Sequence, residues 1–119
     1  MKDDEIVQAI IDAMKEKKAK KIAVIDLRNV EGAICKYHVV CEGDVPTQVG
    51  AIGMYIMRNL RELFQLKSLG HIGIEASQWV VVDYGSVLAH VFLPSIREFY
   101  KLEQLWHDAP IVWVKDEEE

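Results

Sequence analysis

The sequence predicts an α/β (α+β) fold: one domain with a mixed five-stranded sheet flanked by helices. Three observations carry this. Apolar runs of strand length occur at 21–27, 36–42 and 79–92. Two longer stretches, 3–18 and 46 to about 65, repeat their apolar residues at helical spacing instead. The 119 residues are 50% hydrophobic, enough for one modest core, with no linker, repeat or low-complexity segment to divide them. The domain is read as 1–114, followed by an acidic tail at 115–119 expected to be disordered.

Residues 3–18 form an amphipathic helix on Ile6, Ala9, Ile10, Ala13 and Met14. Asp3 or Asp4 can cap its start, and Lys15, Lys17 and Lys18 suit the negative end of its dipole. KIAVIDL, 21–27, is almost continuously apolar, as a central strand should be. A turn at Asn29 to Gly32 leads to a second strand, 36–42. Gly43 to Val45 break that strand, and Pro46 sits where a helix can begin. The helix stripe reads Val49, Ile52, Ile56, Leu60, Leu63 and Phe64. Gly50 and Gly53 each cost it about 1 kcal/mol relative to alanine, and close packing against the sheet would account for them. HIGIE, 71–75, is a third strand, and the hairpin supplies two more. Pro94 ends the last of these, one or two short helices follow to Asp108, and 111–114 can extend or pair against the body. A helix between the second and third strands reads as a right-handed crossover, which would make that pair parallel.

The hairpin is the most informative stretch. Gly85-Ser86 fits a two-residue loop with glycine at the first central position. Tyr84 then faces Val87, Val82 faces Ala89 and Val80 faces Val91. Alternation puts Val80, Val82, Tyr84, Val87, Ala89, Val91 and Leu93 on one side. Trp79, Val81, Asp83, Leu88, His90 and Phe92 take the other. Both sides are largely apolar, so either both are buried or one serves a partner. The reading taken is one side for the core and one for a partner.

Charge narrows the partner. There are 14 basic and 19 acidic residues, net −5, and four of those five charges come from 116–119. The remaining −1 argues against general electrostatic affinity for nucleic acid. Cys35 and Cys41 are six apart, on one face by strand alternation but too far along an extended chain to bond. A reducing cytoplasm is the expected setting. The start of the chain reads as neither a signal nor a transit peptide, and no apolar run approaches the roughly 18 residues that span a membrane.

Catalytic and metal motifs are few. His38, His71, His90, His107, Cys35 and Cys41 show no metal-ligand spacing, and strand alternation turns His38 away from the cysteines. No Walker loop or glycine fingerprint occurs, so no cofactor is expected. Asp26 and Asp83 are the obvious strand carboxylates, and neither has a second one two residues away. Ser86 in the turn is remote from His90, which speaks against a hydrolase triad. A hydrogen bond from His90 to the diagonal Asp83 is the better expectation. Arg97, Tyr100 and Glu103 lie along one side of a helix. That set reads equally as an ion pair pinning the helix to the sheet or as a charged rim beside the hairpin. Leu102, Leu105 and Trp106 read as core.

The chain resembles the ribosomal silencing factor family, the Iojap-like proteins of bacteria and organelles. KKAKKIAVIDLR (17–28), Tyr37 to Gly43 and Gln48-Val49 carry the match in the first half. WVVVDYGSVLAHVF, then Arg97, Phe99-Tyr100, Leu102-Glu103 and Leu105 to Pro110, resemble the family's signature end nearly position by position. The resemblance implies a nucleotidyltransferase-like fold without the catalytic carboxylates, hence no enzymatic activity. It implies binding to the large ribosomal subunit through the ribosomal protein numbered fourteen. Docking there blocks joining of the small subunit and lowers translation when nutrients are scarce; relatives in organelles act in large-subunit assembly. Homodimers are frequent in the family. The signature positions Trp79, Asp83, Tyr84, His90, Phe92, Arg97 and Tyr100 become the candidate partner-binding residues. Trp79 and Phe92 are the expected exposed anchors, Asp83 and His90 the polar registry and Arg97 a rim charge. Tyr84, on the opposite side, is expected to pack in the core. The chain departs from the family's usual pattern at Lys36 (usually acidic), His38 (usually phenylalanine), Glu42 (usually a small hydroxyl residue) and Ala76 (usually glycine). A nucleotide-binding or nucleotidyl-transferring enzyme, dependent on Asp26 or Asp83, is the alternative.

Overall fold

In the computed structural model, residues 1–101 and 109–115 are described. The elements run α1 (Asp3–Glu16), β1 (Lys20–Asp26), β2 (Tyr37–Glu42), α2 (Pro46–Phe64), β3 (Gly70–Ile72), β4 (Trp79–Asp83), β5 (Val87–Phe92), α3 (Pro94–Tyr100) and β6 (Ile111–Trp113). The sheet has six strands in the order β3-β4-β5-β2-β1-β6. The sixth is the 111–113 segment, which pairs antiparallel with β1, Ile111 opposite Ile25 and Trp113 opposite Ala23. A five-stranded sheet is thus corrected to six. β2 and β3 run in the same direction, as the crossover required, but they are not neighbours, and the sheet's parallel ladder is a different pair. It joins β2 to β5, with Val39 opposite Ala89 and Glu42 opposite Phe92. After α2 the chain skips the place beside β2, runs the short β3 along the outer side of β4 and returns through the hairpin.

The hairpin has the register read from its turn: Trp79 opposite Phe92, Val82 opposite Ala89 and Asp83 opposite Leu88. Gly85 has φ +84°, a left-handed conformation that glycine adopts without steric cost. The Tyr84 N–H donates to the Val87 carbonyl across the loop at 2.9 Å.

One side of the sheet is covered by α1 and α2. Ile10, Ala13, Met14, Ile52, Ile56 and Leu60 pack there on Val39, Val80, Val82, Ala89 and Val91. Gly53 permits the close approach of α2, since a Cβ there would lie 2.7 Å from the Val80 methyl. Leu63 and Phe64 do not extend the stripe. Both are exposed, in the last turn of α2 before Gln65 caps it in a left-handed conformation.

The other side carries a smaller core: Ala23, Ile25, Leu27, Cys35, Val40, Phe92 and Ala109, with Trp79, Leu88, Ile96 and Ile111 packed against it. Cys35 and Cys41 are both free thiols and lie on opposite sides, because Cys35 precedes the strand and escapes its alternation. No helix among the described residues is long and apolar enough to cross a membrane. The acidic tail at 116–119 and the positions Leu102, Glu103, Leu105, Trp106 and His107 lie outside the described residues.

Candidate functional site

Five of the seven candidate residues, Trp79, His90, Phe92, Arg97 and Tyr100, gather on the second side of the sheet, around the start of β4, the end of β5 and α3, whereas Asp83 stands at the turn and Tyr84 on the opposite side. Trp79 stacks on Phe92 at 5.0 Å between ring centroids and on Tyr100 at 4.9 Å. Phe99 meets Tyr100 edge to face at 5.1 Å. Exposure along this chain of rings is graded. Phe92 is 0% exposed, Trp79 is half-buried, Tyr100 is 49% exposed and Phe99 79%. The expected exposed anchor at Phe92 is therefore corrected: it is the floor on which Trp79 rests. Phe99, a residue of the signature not singled out from the sequence, is the outermost ring instead. Across the β3–β4 ladder Ile72 stands opposite Val81 on this side, and it too is exposed.

Beneath Trp79 runs a buried polar chain. The indole N–H donates to His90 Nδ1 at 3.1 Å, and His90 Nε2 lies 2.7 Å from His38 Nδ1. His38 Nε2 is 3.8 Å from Cys35 Sγ, and that thiol lies 3.4 Å from the Tyr37 carbonyl. An indole only donates, so His90 Nδ1 accepts. A neutral imidazole then carries its proton on Nε2 and gives it to His38 Nδ1, which leaves the His38 proton on Nε2, toward Cys35. One direction of donation runs along the chain. Burial keeps both rings neutral: His38 is pushed down to about 4 and His90 to about 3, the latter also by the adjacent His38. Burial likewise raises the Cys35 thiol.

This arrangement corrects three expectations. His90 is 4% exposed and cannot supply an exposed registry contact. Its partners are Trp79 and His38, whereas Asp83 uses Oδ1 to accept the Gly85 N–H at 2.7 Å and so fixes the turn. His38 points toward Cys35, because that residue lies outside the strand.

Arg97 is corrected from rim charge to buried tie. Its Nη1 donates to Glu42 Oε2 at 3.1 Å and to the Lys21 carbonyl at 2.7 Å, with both side chains nearly inaccessible. The guanidinium also lies over Trp113 at 5.4 Å. One residue of α3 thus binds β1, β2 and β6. Tyr84 packs in the helix-side core as its register required, its hydroxyl pushed up to about 12 by burial and without a hydrogen-bond partner among the described residues.

Among the described residues, Ser86, Asp26 and Asp83 each have partners other than a catalytic one. Ser86 Oγ donates to Asp3 at 2.6 Å, far along the strand from His90. Asp26 is held by Arg28 at 2.8 Å, which keeps its carboxyl below the ordinary carboxylate range. Among the described residues no group of three or more His, Cys, Asp or Glu side chains could hold a metal ion.

Comparison with known proteins decides the lineage. The family model described as "Ribosomal silencing factor during starvation" matches residues 1–119. The chain belongs to the ribosomal silencing factor family. It is 33% identical over 113 residues to the ribosomal silencing factor of Halalkalibacterium halodurans, covering 94% of each chain. It is 33% identical over 112 residues to that of Bacillus subtilis, covering 93% of this chain and 92% of the relative. A crystal structure of a Chromobacterium violaceum protein superposes with a TM-score of 0.85 at 30% identity, over 98% of this chain and 97% of that one. Family membership places the chain among ribosome-associated regulators of translation.

Within this silencing-factor fold, the residues that sequence reasoning missed are the partners. Glu42 and His38 read as ordinary strand residues, and nothing in their spacing announces Arg97, 55 positions on, or His90, 52 positions on. The signal available was their departure from the family pattern. Lys36, the third departure at this strand, pairs with Asp3 at 3.3 Å.

Proposed function

We propose that this silencing factor docks on the large ribosomal subunit, on its ribosomal protein numbered fourteen, and so excludes the small subunit and represses translation when nutrients are limiting. It needs no chemistry for this; occupancy of the face is sufficient. The observation that carries the reading is the graded aromatic edge: Phe99 and Tyr100 exposed, Trp79 half-buried behind them, Ile72 and Val81 beside them on one side of the sheet. Aromatic residues backed by a rigid floor are the usual centre of interface energy. In this reading Trp79, Tyr100 and Phe99 touch the partner. Phe92 and His90 hold Trp79, Arg97 holds α3, Asp83 holds the turn, and Tyr84 belongs to the opposite core. The same edge is the expected seat of a homodimer, which would make self-association and docking exclusive, and the expected place of action is the cytoplasm.

The test is co-sedimentation with isolated large subunits in a sucrose gradient. The wild-type chain is expected to travel with the subunit. Trp79→Ala and Tyr100→Ala should each weaken binding by about 2 kcal/mol, some thirtyfold. A wild-type chain that remains at the top of the gradient refutes the reading.

A further inference from the structure

Composition assigns the chain a net negative charge, but its cations are not evenly spread. Lys15, Lys17, Lys18, Lys20 and Lys21 form one run, and Arg58 and Arg61 lie on α2; together these are seven of the 14 basic residues. The fold brings Lys17 of the run together with the two arginines on the helical side, opposite the aromatic edge, whereas Lys20 pairs with Asp44 and Lys21 faces Arg97 and Trp113 on the other side. Lys17 Nζ lies 4.8 Å from the centre of the Tyr55 ring and the Arg58 guanidinium 5.3 Å from it. With Arg61, Met54 and Met57 they line a shallow groove of about 440 Å³.

The lysines at the end of α1 have an ordinary explanation in its dipole. The same explanation covers Arg61, in the last turn of α2, but it does not reach Arg58, and it does not account for Lys17 lying against a ring on another helix. None of Lys17, Arg58 and Arg61 forms an ion pair with a described residue. Two acids lie near the ring: Glu16, which accepts the Tyr55 hydroxyl at 2.7 Å, and Glu62, one turn on from Arg58. Lys17 and Arg58 are thus held against an aromatic ring, with Arg61 beside them, and no ion pair to a described residue ties any of the three.

We propose that this groove holds the phosphate backbone of an RNA helix while the aromatic edge holds protein. The proposal rests on large-subunit docking as read above and adds a second, sequence-independent contact to it. Arginine pairs with phosphate oxygens through its planar fork, and cations already ordered on a ring lose less freedom on binding. The Tyr55 face is occupied by those cations, so bases are not read there. Phosphate contacts of this kind position a protein without conferring sequence preference, which agrees with the absence of a nucleic-acid motif.

The experiment pairs the triple variant Lys17→Gln/Arg58→Gln/Arg61→Gln with two probes: purified large subunits in a gradient, and a labelled 20-base-pair RNA duplex in fluorescence anisotropy. All three side chains are exposed, so the fold should be retained. On subunits, the slope of log affinity against log salt should be shallower in the variant by about 2, and affinity lower by about tenfold at low salt. On the duplex, weak wild-type binding should vanish in the variant and return when Arg58 and Arg61 are replaced by lysine instead. Trp79→Ala should lose the subunit and keep the duplex. A triple variant with the wild-type salt slope on subunits overturns the proposal and leaves docking intact. Loss of subunit binding with no wild-type affinity for the duplex also overturns it, because the groove then faces an acidic protein. A wild-type chain that ignores subunits refutes the docking reading, and the duplex comparison alone then decides the groove.

Discussion

The two sides of the sheet are held by different physics. The helical side is a dry layer of aliphatic residues, with α1 and α2 laid on alternate positions of the strands. Any one of its contacts is generic, and its strength lies in area. The second side is thin, and it is fastened by a few specific pairs: Arg97 with Glu42, His38 with His90, and the Trp79 indole with His90. A layer held by area tolerates exchange of similar side chains. One held by buried polar pairs fails when either member is lost, because the survivor stays buried without its partner. The exposed aromatic edge is built on this second kind of support.

The largest expected effect separates the two sides. Glu42→Leu leaves the Arg97 guanidinium without its buried carboxylate and should cost about 3–5 kcal/mol in urea unfolding, although no large volume is lost. On the helical side a comparable loss requires a cavity, as in Ile52→Ala at about 2–5 kcal/mol, while Ile52→Val should cost only about 1 kcal/mol. If Glu42→Leu unfolds at the wild-type midpoint, the polar tie is not what holds α3.

Acid should distinguish the sides next. Both histidines have folded values depressed below the ordinary 6.5, to about 4 and about 3. The unfolded chain therefore takes up protons below about 6.5 that the folded chain refuses. Their contribution to stability is complete above that pH and is lost progressively as the pH falls from 6.5 toward 4. Thermal melts across this range should show the decline, and His38→Phe should remove about half of it. The same variant deprives His90 of its acceptor. It should cost about 1–3 kcal/mol and shift the fluorescence of Trp79. A flat melting profile from pH 7 to 4 contradicts the neutral imidazole pair. At the small end, Lys36→Ala removes a surface ion pair with Asp3 and should change stability by less than about 1 kcal/mol.

The difference between the sides is also the difference in what could be read from the sequence. Period and alternation report contacts with neighbours a few residues away, so α1, α2, β1, β2 and the hairpin register were legible, whereas the strand read at 71–75 is only Gly70–Ile72, cut short by the left-handed turn at Gly73. Tyr84, a candidate for partner binding from the signature, lies in the core where strand alternation puts it. The order of the strands was not legible, because the sequence shows that α2 is a crossover but not that it passes β5 and β4 to reach the edge strand β3. The second side was least legible. Phe92 and His90 looked available to a partner because nothing local shows that α3 and the loop before β2 close over them. Glu42 and His38 could be flagged as unusual for the family, yet their meaning lies in residues more than fifty positions away. Leu63 and Phe64 followed the helical period faithfully and still reached solvent, since period cannot tell what lies opposite the last turn of a helix.

In the proposed function, the exposed end of the aromatic edge, supported from beneath by the polar pairs, does the silencing. The most direct measurement is light scattering of large and small subunits mixed with the wild-type chain or with Phe99→Ser/Tyr100→Ser. Wild type should lower the yield of joined particles in proportion to its occupancy. The double variant, folded and melting within a few degrees of wild type, should let the subunits join as if no factor were present. A folded double variant that blocks joining as strongly as wild type would contradict the claim and place the contact elsewhere on the protein.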